Sequence, residues 1–294
     1  MSTEVAYSQS DWFTLVIFLG IIIVLSLVGE LGFLLGRKIR ETSDEPAKTQ
    51  SFTVTAATFG FLALLLAFAF SAGGTRFATR KQLMVDEANA IGTTYLRAQL
   101  LPEPYGSEAA SLLRDYVDVR VEWHRALDDG ERLEEANEAT QDLQQQLWAQ
   151  AVAAGQEDPR AETYSLFTQS LNELIDLQTM RLASVENRIP PTALYLLLLA
   201  AILGVLALGY GAGLGNRRNI LGRIIVALLI VVVIFVVVDL DRPGGGLIEE
   251  GQRSMLRLQE SLHEPAGSQP LLESLSMPNG PKTPCGSSTI VFDS

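Results

Sequence analysis

Five carboxylates in this chain stand where a carboxylate needs an explanation: Glu30, Asp86, Glu87, Asp239 and Asp241. Glu30 interrupts an apolar run from Phe13 to Gly36. Near the centre of a bilayer an ionised side chain costs about 2.5 kcal/mol or more and is often functional, whereas near an interface it reaches water or a cation. Arg37 follows about two turns later, so an interfacial, paired Glu30 is the plainer reading and a functional intramembrane acid the sharper one. Asp86 and Glu87 are neighbours, with Asn89 and Thr93 on the side of Asp86. To act as general acid and base they would have to reach one substrate atom. Adjacent residues on a helix diverge by about 100°, which predicts that one faces water while the other caps or pairs inside the protein. Asp239 and Asp241 precede Pro243 and three glycines; they read either as a cation site or as the polar stop of a membrane helix.

Other chemistry finds no support. No G-x-S-x-G, HExxH or Walker loop occurs. Gly204 to Gly215 is glycine-rich but lies in an apolar segment with no strand before it, so helix packing explains it better than phosphate binding. His124 and His263 are the only histidines and Cys285 the only cysteine, which argues against a His/Cys metal cluster and an internal disulfide. A net charge of −12 without a basic patch argues against nucleic acid. We expect neither an enzyme nor a cofactor.

The elements that must position these residues are four hydrophobic segments, Phe13–Gly36, Ser51–Ala72, Thr192–Leu214 and Ile220–Val238. A bilayer crossing takes roughly 20 apolar residues, and each segment is about that long. The first lacks the positive start and small-residue cleavage site of a signal peptide and reads as a retained helix with Trp12 at the interface. In the second, Ala56/Gly60 and Ala63/Ala67 are small pairs at the spacing that lets helix backbones approach. Phe59, Phe61, Phe68 and Phe70 mark its other faces, as packing or lipid contacts or as a hydrophobic pore constriction. No proline interrupts Ser51 to Leu101, which predicts one rod leaving the membrane, with a candidate hinge at Gly73-Gly74. The third segment ends in Gly209, Gly211, Gly213 and Gly215, two overlapping GxxxG pairs for helix packing.

Between the second and third segments, residues 75–189 carry 20 Asp and Glu against 11 Lys and Arg, a balance that belongs in water. Apolar residues recur there at helical spacing: Met84, Ala88, Ile91, Tyr95; Leu112, Tyr116, Val119, Trp123; Ala136, Thr140, Leu143, Leu147; Phe167, Leu171, Leu174, Leu182. Each stripe is one-sided, so the helices must cover one another, and short connections make them antiparallel. The predicted fold is an all-α membrane protein: four transmembrane helices with a soluble four-helix bundle inserted between the second and third. We divide it into 1–74 (tail and first two crossings), 75–189 (bundle), 190–242 (last two crossings), 243–263 (a short amphipathic helix) and 264–294, a Pro-, Gly- and Ser-rich tail expected to be disordered.

The two short loops carry Arg37, Lys38, Arg40, Lys48, Arg217 and Arg218, and the N-terminal tail carries no cation. By the positive-inside rule the loops face the cytoplasm, with both termini and the bundle on the opposite side of a cell membrane.

The runs FGFLALLLAFAFSAGGTRFATRKQL (Phe59–Leu83), VDEANAIGTTYLRAQLL (Val85–Leu101) and DLDRPGGGLIEE (Asp239–Glu250) resemble the bestrophin-like domain family of multi-pass membrane proteins, over residues 10 to 262. That family is in turn distantly similar to bestrophins, pentameric anion channels whose second membrane helix lines the pore and continues into a cytosolic bundle. The resemblance implies neck-like aromatics at Phe59, Phe61, Phe68 and Phe70 and places Asp239 and Asp241 in the region of a calcium clasp. It also implies a cytoplasmic bundle, opposite to the charge rule. The Arg-x-Asn and Tyr-x-Arg-Trp-Trp runs of bestrophins have no counterpart between Gly73 and Leu83. Two functions follow from these readings. One is a homo-oligomeric channel or pore in the lipid bilayer. The other is a membrane-anchored helical sensor or scaffold without transport.

Overall fold

The computed structural model describes residues 9–42, 45–158, 161–216, 218–244 and 251–264. These form eight α-helices, with no strand among the described residues: α1 (Gln9–Ile39), α2 (Glu45–Ala98), α3 (Tyr105–Arg125), α4 (Gly130–Glu157), α5 (Glu162–Glu186), α6 (Pro191–Leu214), α7 (Ile220–Asp241) and α8 (Arg253–His263). Four stretches are long and apolar enough to cross a membrane: Val16–Ile39, Lys48–Ala98, Ile220–Asp241, and one that begins in α5 and ends with α6, Glu162–Leu214. The expected disordered tail, from 265 onward, and Ile248 of the expected amphipathic helix lie outside the described residues.

The organising element is α2, an unbroken helix of 54 residues, about 80 Å long at 1.5 Å per residue. The helix runs through the candidate hinge at Gly73-Gly74 without interruption. A side chain at Gly73 would instead meet the Val237 carbonyl at 3.3 Å, so this glycine serves the close approach of α7.

Two large apolar cores sit one above the other along α2, and a third, smaller cluster gathers Trp123, Leu127 and Ala136 with Leu133, Leu182 and Val185. The first gathers Leu25, Leu62, Ala201, Val205, Ala227, Val231 and Ile234 from α1, α2, α6 and α7. The second gathers Ile91, Ala98, Leu113, Val117, Leu147, Phe167, Leu171 and Leu174 from α2 to α5, and Met255 and Leu262 from α8. The short C-terminal helix is thus part of the second core. The α3 stripe differs from the expected one by a small rotation. Leu113 and Val117 are buried and Leu112 and Val119 only half-buried, because α8 covers the side of α3 that a four-helix packing would leave open.

In the first core α1 and α6 touch through glycine. A Cβ on Gly32 or Gly36 would overlap the carbonyl oxygen of Leu206 or Tyr210, and one on Gly209 or Gly213 would overlap that of Gly29 or Phe33. The contact is reciprocal and made by backbone, as close crossing in lipid requires. Of the two pairs expected in α6 only Gly209/Gly213 faces α1. Gly211 turns toward the Ser51 hydroxyl, and Gly215 lies past the helix end beside its own carbonyls.

Gly213→Ala should therefore lower the free energy of unfolding in detergent by about 2 kcal/mol, since rigid backbone occupies the space. Gly211→Ala should change it by less than about 0.5 kcal/mol, as at an ordinary surface position. An SDS titration followed by circular dichroism reads both.

Candidate functional site

The helix α2 is held along one face only. Leu62, Gly73, Arg80, Met84, Glu87, Ile91, Thr94 and Ala98 are buried, spaced so that one side of the rod is covered from one core to the other. On the opposite side Ala57, Gly60, Leu64, Ser71, Ala78, Gln82 and Asn89 are exposed. A Cβ at Gly60 would have nothing within 4 Å, so this chain alone makes no use of its smallness. Of the most apolar part of α2 only 6% is buried, against 28% in α1 and in α7. Hydroxyls along the helix are satisfied within it: near this face Thr53 donates to the Thr49 carbonyl at 3.1 Å and Thr75, on its flank, to Ser71 at 2.9 Å, and on the covered side Thr58 donates to Val54 at 2.8 Å. Such back-bonding makes them compatible with lipid.

The four phenylalanines do not act together. Phe59 is half-buried in the first core, against Gly204. Phe61 and Phe68, seven residues apart, are exposed on one flank of the free face, and Phe70 is exposed on the other. The helical phase divides them where a reading by proximity in sequence groups them.

Three ionic clamps hold the covered face and its neighbours. The first is at Glu30, whose Oε1 accepts from Arg218 Nη2 at 2.8 Å and whose Oε2 accepts from Arg223 Nη2. Both guanidiniums lie over the Phe33 ring, 5.9 and 5.3 Å from its centre. The cations come from the start of α7, not from Arg37, which is exposed on the same helix as Glu30.

The second clamp joins the two cores. Asp241 Oδ2 accepts from the Ile189 backbone N–H at 2.8 Å, just before α6 begins, and Arg80 Nη2 donates to the Leu240 carbonyl at 2.8 Å. Asp239 is buried beside them. Among the described residues no three His, Cys, Asp or Glu side chains come together as a metal site would need. Asp241 instead ties the end of α7 to the α5–α6 turn.

The third clamp is the most enclosed. Glu87 and Arg120 have no exposed surface. Glu87 Oε1 accepts from Arg120 Nε at 2.6 Å, and Oε2 accepts from Arg181 Nη1. Both guanidiniums stack on Trp123, 4.3 and 4.9 Å from the ring centre, and Trp123 Nε1 donates to Asn137 Oδ1 at 2.7 Å. Arg181 Nη2 lies 3.3 Å from His124 Nδ1. A guanidinium can only donate, so that nitrogen is the acceptor and the imidazole is neutral. Burial, then the charges of Arg181 and Arg120, push His124 down to about 4. Burial raises Tyr116 above its ordinary value; its hydroxyl accepts from Gln144 Nε2 at 3.2 Å. Helices α2, α3, α4 and α5 all contribute. Asp86 stays at the surface, accepting from Gln82 Nε2 at 2.9 Å, and Asn89 is exposed. The adjacent carboxylates thus face different surroundings, and Glu87 is wholly engaged by two cations.

Sequence reasoning missed Arg120 and Arg181. The signal was present: Arg120 lies four residues after Tyr116 and Arg181 seven after Leu174, both in phase with an apolar stripe.

A family model, the Bestrophin-like domain, matches residues 21–249, from within α1 to beyond α7. Among solved structures the fold is similar to that of a bacterial bestrophin homologue from Klebsiella pneumoniae, with a TM-score of 0.63 and 14% identity over 83% of this chain and 96% of that one. A variant of that homologue with one tryptophan replaced by alanine gives 0.63 at 16% identity over the same shares. A variant with one isoleucine replaced by threonine gives 0.62 at 15%, over 84% and 99%. At such identities the likeness is one of fold. No curated protein matches the sequence.

Glu87→Gln leaves two buried cations facing a neutral amide, and should destabilise the protein by about 3–5 kcal/mol in chemical unfolding. Asp86→Asn should change stability by less than about 0.5 kcal/mol. Because the folded protein holds His124 near 4 while the unfolded chain titrates at the ordinary 6.5, the unfolded state takes up the proton first. Stability contributed by neutral His124 is therefore complete above pH 6.5 and is lost as the pH falls toward 4. In His124→Gln the slope of stability against pH in that window should flatten.

Proposed function

This chain belongs to the Bestrophin-like domain family, and we propose that it is a homo-oligomeric membrane channel whose pore is lined by the free face of α2. One observation carries the reading: among the described residues the longest apolar helix is the least covered one, with 6% of its most apolar stretch buried. A helix that only faced lipid would be expected to present large aliphatic side chains. Beside Leu64, the middle of this face instead offers the small residues Ala57, Gly60, Ser71 and Ala78, with Phe61 and Phe68 along one edge and Phe70 along the other. Small residues let several copies of the helix approach one axis, and aromatic edges can form a hydrophobic constriction.

In this reading α1, the apolar part of α2, α6 and α7 cross the bilayer. The rest of α2 with α3, α4 and α5 is the soluble bundle inserted between the second and third crossings, closed by α8. The partners are lipid and further copies of the chain. The cation-rich short-loop end, with Arg218 and Arg223 at its Glu30 clamp, favours the cytoplasm for those loops, whereas the layout of bestrophins favours it for the bundle. A reporter fused after Ser294 distinguishes the two.

Purified protein in planar bilayers should conduct, and Phe68→Ala should change the unitary conductance without changing oligomer size. The detergent-solubilised protein should run as a ring larger than a dimer. A monodisperse monomer with no conductance contradicts the proposal.

A further inference from the structure

Where the two cores meet, a cleft of about 410 Å³ opens between α2 and the end of α5, lined by Ala72, Thr75, Arg76, Thr79, Ser184 and Asn187. Ala72 closes the apolar stretch of α2, and Pro190 and Pro191 lead into α6 shortly after Asn187. The cleft therefore sits at the level of lipid headgroups.

Its polar groups are of two kinds. Arg76 has one ion-pair partner among the described residues, Asp241, whose Oδ1 lies 3.9 Å from Nε. That is too long for a hydrogen bond, and both atoms are buried without a hydrogen-bond partner. Asp241 orients the guanidinium without using its donors. Thr75 and Ser184 are the converse. Thr75 Oγ1 donates to the Ser71 carbonyl at 2.9 Å and Ser184 Oγ to the Arg181 carbonyl at 2.7 Å. Their protons are committed, so what they offer the cleft is acceptor lone pairs. Thr79 and Asn187 can do either. A donor-only fork next to two acceptors is the complement of an oxyanion that carries its own hydrogen-bond donors nearby.

We propose that this cleft binds a phosphate ester bearing hydroxyl or ammonium donors, with the phosphate on Arg76 and the donors on Thr75 and Ser184. Phosphoglycerol and phosphoethanolamine headgroups have both parts. Phosphocholine has the phosphate but no donor, and would leave the two acceptors unmatched. The cleft lies on the flank of α2 that faces the end of α5, beside the free face, and the proposal stands whether or not the protein conducts.

Native mass spectrometry of the intact protein in detergent tests it, with phosphatidylglycerol, phosphatidylethanolamine, phosphatidylcholine or free glycerol 3-phosphate added at equal concentration. The two donor-bearing lipids should be retained several-fold more than phosphatidylcholine. Arg76→Gln should weaken retention of phosphatidylglycerol about tenfold, as loss of a charge-assisted contact to phosphate does. Arg76→Lys should restore part of it. Asn187→Leu, at an exposed position, should weaken it as well and covers the case in which Arg76→Gln does not fold. Displacement of phosphatidylglycerol by free glycerol 3-phosphate assigns the site to a soluble ester of the same chemistry; its absence assigns the site to lipid. Equal retention of phosphatidylglycerol and phosphatidylcholine, or retention unchanged in the variants that fold, overturns the proposal.

Discussion

A single rigid helix gripped on one side is the constraint on which this architecture depends. Because α2 runs through Gly73-Gly74 as one continuous helix, both cores are built on the same element. Within the second core the gripped face is fastened by the ion pairs of Glu87 with Arg120 and Arg181. The opposite face is left uncovered by the described residues.

The two cores solve different problems. The second lies in a highly charged stretch and is driven together by removal of apolar surface from water. At its centre Glu87 is outnumbered by Arg120 and Arg181, and two nitrogens of Arg120 are buried without a hydrogen bond. Stacking on Trp123 supplies an electrostatic substitute, since a ring face attracts a desolvated cation. The first core has no such drive, because lipid is as apolar as leucine, and it relies on shape. Gly32, Gly36, Gly209 and Gly213 let the backbones of α1 and α6 meet, and Glu30 with its two arginines pins α1 to the start of α7.

Much of this was legible in the residues. The absence of proline from Ser51 to Leu101 foretold the length of α2, and the one-sided stripes foretold which helices share a core. What escaped has physical causes. Arg120 and Arg181 occupy apolar-stripe positions, and charge hides membership of a core until a partner of opposite sign is in place. The glycines of α1 were lost within an apolar run because Gly29, Gly32 and Gly36 combine spacings of three and four, and only the partner helix reveals the line they form. The role of α8 depends on contacts across more than a hundred residues of sequence, which local periodicity does not carry. The family resemblance took the four phenylalanines of α2 together as neck-like aromatics, whereas helical phase puts Phe59 in the first core and Phe61, Phe68 and Phe70 at two edges of the exposed face.

The central claim is that the free face of α2 meets water inside an assembly. With Cys285→Ser as background, single cysteines at Gly60, Leu64, Ser71 and Ala78 should react quickly with a charged, membrane-impermeant thiol reagent in reconstituted vesicles, while cysteines at Leu62 and Phe59 react slowly. Uniformly slow reaction at all six positions would place that face in lipid and contradict the account.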